Sequence, residues 1–255
     1  MAGKQGRKIS NDERGSKYPA EEACLPWPEL IRGRLVKRYK RFLADVVLDD
    51  GREVTAHCAN SGRMTTCSEP GSPVYLSYHD SPKRKLKYTW ELIEMPTSLV
   101  GVNTLVPNRL VHHAIRQGQL KPFRGFEHIK PEKKLESGSR LDLFLWNEEA
   151  DRCFIEIKNC TLVTDGVASF PDAVTTRGQK HLRELQHLLD KETRCAMVFL
   201  VQRCDVNRFE PADLIDPEYG RELRKAIDKG VEMYVYDVNI TLDSIEIRGE
   251  IPFQL

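Results

Sequence analysis

The sequence changes its rhythm near Met95, and that change limits the folds open to it. Between Arg32 and Met95 it holds only short strand-like segments, at residues 34–39, 42–48, 53–58, 73–77 and 87–95. Asp49-Asp50-Gly51 is a good hairpin turn between the second and third of them. Five strands in so short a stretch predict a small β-barrel, with the OB-fold as the natural candidate. Beyond Met95, helical and strand periods alternate. Pro107 precedes a helix at 108–117, with Gly118 as its stop. Thr175 or Thr176 can cap a helix that carries Leu182, Leu185, Leu188 and Leu189 at helical spacing. Residues 195–202 are a continuous apolar strand of the kind buried mid-sheet. Asp216-Pro217 opens a helix ending at Lys229 before Gly230. Segments 126–129, 232–238 and 244–248 add strands, which makes an α/β domain with a mixed sheet. The expected organisation is a tail over 1–28, an OB-like β-barrel domain over 29–96 and the α/β domain over 97–255.

Residues 1–28 are polar and broken by Gly and Pro, and read as a disordered tail ending at Pro26-Trp27-Pro28. The first thirty residues contain no apolar stretch of the kind a secretory signal needs. The longest apolar run, 195–201, is too short to cross a bilayer, so no membrane role is expected. Seven cysteines, an odd number with no C-x-x-C pair, fit a reduced, cytoplasmic protein. His57, Cys58, Cys67 and His79 match no familiar zinc spacing.

Net charge is only +1, so any nucleic-acid surface has to come from local clustering. Basic residues gather twice in the barrel segment. Arg32, Arg34, Lys37, Arg38, Lys40 and Arg41 form one group; Lys83, Arg84, Lys85 and Lys87 form the other, followed by Tyr88 and Trp90. Two readings fit: solvated strand edges that resist aggregation, or a groove that tracks phosphates while the aromatics stack on bases.

The most chemically loaded part of the chain is a pair of strand-like stretches, 139–145 and 154–159, joined by the polar connector 147–151. A hairpin symmetric about Glu149 sets Asp142 opposite Glu156. Side chains alternate, so Phe154, Glu156 and Lys158 share that face. Facing carboxylates repel, and either a divalent cation or a neighbouring cation relieves them. In the first case Asp142 and Glu156 hold Mg2+ (or Mn2+). The Ile157 carbonyl adds a ligand, and Glu132 is a candidate extra carboxylate. Lys158 then positions a water and stabilises developing negative charge. The next helix offers Arg177, Gln179, Lys180 and His181 in its first turns, with Gln179 and Lys180 aimed at a substrate phosphate. In the second case Arg140 and Lys158 simply neutralise the two carboxylates. Spacing alone leaves both open. No glycine-rich phosphate loop, Ser-His-Asp order, helix-turn-helix or zinc-finger pattern is evident.

Several motifs in order carry a wider resemblance: His57-Cys58-Ala59-Asn60-Ser61-Gly62-Arg63-Met64, Ser81-Pro82-Lys83-Arg84-Lys85-Leu86-Lys87-Tyr88-Thr89-Trp90, Val100-Gly101-Val102-Asn103-Thr104, Ser139-Arg140-Leu141-Asp142, Glu156-Ile157-Lys158-Asn159-Cys160 and Phe170-Pro171-Asp172-Ala173-Val174-Thr175-Thr176-Arg177-Gly178-Gln179-Lys180-His181. With these the chain resembles the sugar fermentation stimulation protein A family over about Leu30 to Val238. The resemblance implies a bacterial or archaeal DNA-binding protein with an N-terminal OB-like domain and a C-terminal domain of PD-(D/E)xK nuclease type. It puts Asp142, Glu156 and Lys158 on the nuclease motif, with Glu132 and Gln179 as outer members. Ala59 stands where the family usually has Pro and Ser61 where it has Thr, and the tail has no counterpart. Two functions follow: an Mg2+-dependent nuclease-type phosphodiesterase, or a non-catalytic DNA-binding transcriptional regulator of sugar metabolism using the same basic surfaces.

Overall fold

A computed structural model describes residues 24–255. Its first element, β1 (Leu25–Pro26), lies inside the expected tail and pairs antiparallel with Ile245 and Ser244 near the C-terminus. Trp27 follows it, donating its backbone N–H to Asp243 O at 2.9 Å and its indole N–H to Thr241 O at 3.0 Å. Residues 24–28 are therefore not a free tail. Leu25 and Trp27 pack on an apolar cluster, and the strand they join would otherwise present an open sheet edge. The remainder of the expected tail, residues 1–23, lies outside the described residues.

Alternation then builds the barrel from β2 (Leu30–Tyr39), β3 (Leu43–Leu48), β4 (Glu53–His57), β5 (Pro73–Tyr78), β6 (Tyr88–Met95) and β7 (Ser98–Gly101). In β3, Ala44, Val46 and Leu48 are buried while Leu43, Asp45 and Val47 between them are half-buried. The sheet order is β4-β3-β2-β5-β6-β7, and β4 also pairs with β6 through Ala56↔Tyr88 and His57↔Thr89. That last pairing closes β2 to β6 into a five-stranded barrel around Leu35, Val46, Leu76, Trp90 and Ile93. The β7 strand belongs to this sheet, so the sheet runs past the expected boundary at residue 96. Trp90 is fully buried and donates its indole N–H to Leu92 O at 2.9 Å, so it is not available to stack on bases.

The second unit begins with α1 (Val106–Arg116), followed by β8 (His128–Lys134), β9 (Arg140–Trp146), β10 (Arg152–Cys160), β11 (Leu162–Thr164) and β12 (Val167–Phe170). Then come α2 (Thr176–Leu188), β13 (Thr193–Val201), β14 (Arg208–Pro211), α3 (Pro217–Asp228), β15 (Glu232–Ile240) and β16 (Ser244–Glu250). Seven strands order as β1-β16-β15-β13-β10-β9-β8, parallel across β10, β13 and β15 and antiparallel at the flanks. The apolar strand expected at 195–202 is β13, at the centre. Its odd residues Cys195, Met197 and Phe199 pack under α2 and α3; its even residues Ala196, Val198 and Leu200 pack under α1. The result is the expected α/β domain with a mixed sheet, helices covering both faces. The expected helix starts hold: Thr175 Oγ1 accepts from Gly178 N–H at 3.1 Å, and Asp216 Oδ1 from Tyr219 N–H at 3.0 Å. A small sheet of β11, β12 and β14 was not anticipated, because three or four residues are too few for a periodic signal. Among the described residues no helix is long and apolar enough to cross a membrane.

Candidate active site

The β9–β10 hairpin has the expected register, with Cys153↔Leu145, Phe154↔Phe144 and Ile155↔Leu143. The ladder ends one step before Asp142 would face Glu156. On the other flank, Glu132 adopts φ +55° between the pairs Pro131↔Leu143 and Lys133↔Leu141. The facing of β9 changes at this point. Leu143 and Leu145 pack on the α1 side, whereas Leu141 packs with Phe154 on the α2 side. Asp142 sits at the change, its Oδ1 accepting from Asn108 Nδ2 and its Oδ2 from Ile157 N–H, both at 2.8 Å. Burial and then the Glu156 charge push its carboxyl up to about 6, against the pull of these donors and of Lys158.

Glu156 is 2% exposed. Its Oε1 receives Lys158 Nζ at 2.5 Å and also contacts His181 Nδ1. Burial alone would raise its carboxyl, but Lys158 and His181 together hold it below the usual range. Its Oε2 is buried and has no hydrogen-bond partner. His181 Nε2 accepts from Arg177 Nε at 3.4 Å, which leaves Nδ1 as the proton donor to Glu156. His181 is thus buried against the carboxylate, its two ring nitrogens engaged by Glu156 and Arg177, where the sequence suggests an open phosphate contact.

The two outer candidates are elsewhere. Gln179 Nε2 donates to Asp216 Oδ1 at 3.0 Å and Oδ2 at 3.2 Å, tying the start of α2 to the cap of α3. Glu132 is exposed and paired with Arg140 at 3.1 Å. Arg140 is therefore engaged by Glu132, so the arrangement in which it neutralises Asp142 is not the one found. Asp142 and Glu156 fit a hard divalent cation. They repel one another, Asp142 has the raised carboxyl, and Glu156 keeps an orphan oxygen. Among the described residues no three His, Cys, Asp or Glu side chains converge, so water and backbone oxygens such as the Ile157 carbonyl would complete the shell. Cys58 and Cys67 lie in the barrel core, and His79 bonds Ser77 Oγ at 3.0 Å.

Asn108, Asp142, Glu156, Ile157 and Lys158 line a cleft of about 490 Å³ between the two units. The barrel contributes Arg41, Asn60, Ser61 and Gly62 to it. Arg38 shapes this roof: its Nη2 donates to Asn60 O and Gly62 O at 2.8 Å, and its Nη1 to Arg63 O at 3.1 Å. Gly62 lets Asp172 approach closely: a Cβ there would come within 2.3 Å of Asp172 Oδ2, and the carboxylate would have to shift. That same carboxylate oxygen accepts from Met64 N–H at 3.0 Å and holds the roof to the second unit.

Most other expected phosphate contacts are engaged within the barrel. Arg34 donates to Gly71 O at 3.1 Å, Lys37 pairs with Asp45 at 3.7 Å, Arg84 donates to Thr89 Oγ1 at 2.8 Å, and Lys87 pairs with Asp80 at 3.1 Å. Lys40, Lys83 and Lys85 are exposed, and Lys180 pairs with Glu184 at 3.7 Å. Only Arg41 and Arg177 of the basic set line the cleft beside Lys158. Sequence reading missed Asn108 and Asp172, whose roles depend on contacts across elements. Arg38→Ala is expected to destabilise the protein by roughly 2–3 kcal/mol, since three carbonyls lose a charged donor. Urea midpoints check this, with Lys83→Ala as the exposed control that stays put.

Two family models match the chain: the SfsA N-terminal OB domain over residues 36–102, and the sugar fermentation stimulation protein RE domain over 105–244. A sugar fermentation stimulation protein homolog of Geotalea uraniireducens is 48% identical over 231 residues, covering 91% of this chain and 99% of that protein. The homolog of Geobacter sulfurreducens is 50% identical over 228 residues, covering 89% and 97%. The structure of Pyrococcus furiosus SfsA in complex with Ca2+ superposes with a TM-score of 0.83 at 25% identity, covering 91% of this chain and 98% of that one. With both units matched in order and nearly the full length of its relatives covered, the chain belongs to the sugar fermentation stimulation protein family.

Proposed function

We propose that the chain is an Mg2+- or Mn2+-dependent phosphodiesterase acting on DNA. The observation that carries this reading is the pairing of Asp142 with Glu156 at one cleft, Glu156 keeping a buried oxygen with no protein partner. Asp142 and Glu156 hold the cation, with Asn108 and the Ile157 N–H fixing the orientation of Asp142. A cation bound there lowers the pKa of a coordinated water and screens the phosphate. Lys158 keeps Glu156 ionised and presents positive charge where negative charge develops on the phosphate. His181, locked by Arg177, holds the other side of the same carboxylate oxygen. Arg41 and Arg177 supply cationic walls for the backbone. The Ca2+ held by the Pyrococcus furiosus relative supports a divalent cation in this role.

The test is incubation of the full chain with end-labelled single- and double-stranded DNA in Mn2+, Mg2+ or EDTA. Cleavage in the presence of either metal and none in EDTA is expected. DNA retention without cleavage in any metal would favour the regulator reading, which Lys158's close hold on Glu156 also accommodates. Regulation of sugar metabolism rests on the family name alone.

A further inference from the structure

Two large aliphatic side chains at the cleft are mostly exposed. Leu105 is 66% exposed and Val174 is 64% exposed, and both line the same cleft as Asp142 and Lys158. Leu105 occupies the N-cap of α1, where Ser, Thr, Asp or Asn normally sits, and it makes no side-chain cap bond. Its backbone is nevertheless tied down by hydrogen bonds. Leu105 N–H donates to Asn103 Oδ1 at 3.0 Å, Asn103 Nδ2 donates to the buried Glu91 Oε2 at 2.7 Å, and Thr104 N–H donates to Ala59 O at 3.1 Å. Val174 stands on the connector between β12 and α2, pinned on both sides. Asp172 accepts from Met64 N–H, and Thr175 N–H donates to Asp216 Oδ2 at 2.8 Å.

We infer that Leu105 and Val174 are wedges that separate the bases next to the scissile phosphate, so that the cleft takes an unpaired DNA strand and not a duplex. This rests on the reading of the cleft as a DNA phosphodiesterase site. An aliphatic side chain held in a polar surround meets water unless a ligand supplies an apolar face. Nucleobases have such faces, but in a duplex they are covered by stacking, and wedge residues reach them only by unstacking a step. Asn60, Ser61 and Gly62 of the barrel line the same cleft as Asp142, so the strand that enters it is flanked by both units. Positive charge accompanies the apolar pair. Arg41, Lys158 and Arg177 line the cleft, and Arg177 also lines an adjoining groove with Arg140 and Lys180. A strand leaving the cleft passes these cations, Arg177 first; Arg140 and Lys180 reach it from their pairs with Glu132 and Glu184.

The experiment uses the full chain carrying Glu156→Gln, so that DNA stays intact, with 2-aminopurine beside the central phosphate of a single strand or its blunt duplex. The parent is expected to bind the single strand about tenfold more tightly than the duplex and to raise 2-aminopurine fluorescence. Leu105→Ser with Val174→Ser should reduce that preference to about twofold and remove the fluorescence rise, while Leu105→Phe with Val174→Ile keeps both. Equal or tighter duplex binding by the parent overturns the inference, as does a serine pair that behaves like the parent. Binding of neither DNA overturns it together with the function proposed above. A wild-type chain that cuts nothing in Mn2+, beside a parent that shows the preference, defeats the phosphodiesterase reading and leaves the wedges standing.

Discussion

Asp142→Asn is expected to abolish metal-dependent cleavage and, at pH 8 without metal, to make the protein more stable. Loss of one cation ligand removes on the order of 4 kcal/mol of transition-state stabilisation, roughly a thousandfold in rate. The stability gain follows from the raised carboxyl. Burial and Glu156 lift the Asp142 pKa to about 6 in the folded chain, against 3.8 ordinarily. A raised value means that the folded state holds the proton more tightly. The associated stability is full below about pH 4 and is lost as pH rises through 6. Two pH units correspond to about 3 kcal/mol at most, and Asn escapes this loss because it cannot ionise. Asn108 and the Ile157 N–H both donate to Asp142, and Asn offers only one acceptor oxygen, which returns about 1 kcal/mol. The net gain at pH 8 is therefore about 2 kcal/mol, or roughly 5 °C in Tm. At pH 4 the variant should be no more stable than wild type. Mg2+ should raise the wild-type Tm at pH 8 and leave that of Asp142→Asn unmoved. Retained cleavage, or a lower Tm for the variant at pH 8, would sink the assignment.

Lys158→Met should have the opposite effect on stability. Glu156 is almost fully buried, and its Oε1 relies on Lys158 and His181. Removing one partner of a buried charge pair costs about 3–5 kcal/mol, because the remaining charge is left uncompensated. In a domain of this size that is roughly 10 °C of Tm. The pH dependence has the reverse sign to that of Asp142. Glu156 is held below the ordinary carboxylate range, so its contribution is present at neutral pH and lost as pH falls through the folded value. The deficit of Lys158→Met should therefore shrink towards acid pH. Adding Glu156→Gln should recover much of it, with a coupling energy of at least about 2 kcal/mol in the double-mutant cycle. Additive losses would show that the two groups do not act as a pair.

Arg38, Gln179 and His181 show where sequence reading ends. Gln179 and His181 lie in a motif and Arg38 in a basic cluster, and all three read naturally as surface contacts. Arg38 instead closes on three carbonyls of a loop more than twenty residues away. Gln179 meets Asp216, and His181 meets Glu156. The wedge candidates were equally hidden, since Leu105 and Val174 have ordinary neighbours in the chain. Nothing near Trp90 marks it as core either; only the β4–β6 closure puts it inside.

The sequence by itself determined the two-unit order, the β9–β10 register that brings Asp142, Glu156 and Lys158 to one end of a hairpin, and the caps of α2 and α3. Those features are local: period-two alternation, hairpin symmetry and capping chemistry act over a few residues. Only the tertiary structure decided which charges meet, that the ladder stops short of Asp142, and that a barrel loop roofs the cleft. A side chain's partner is set by the distance and facing of elements far along the chain, which no local pattern records.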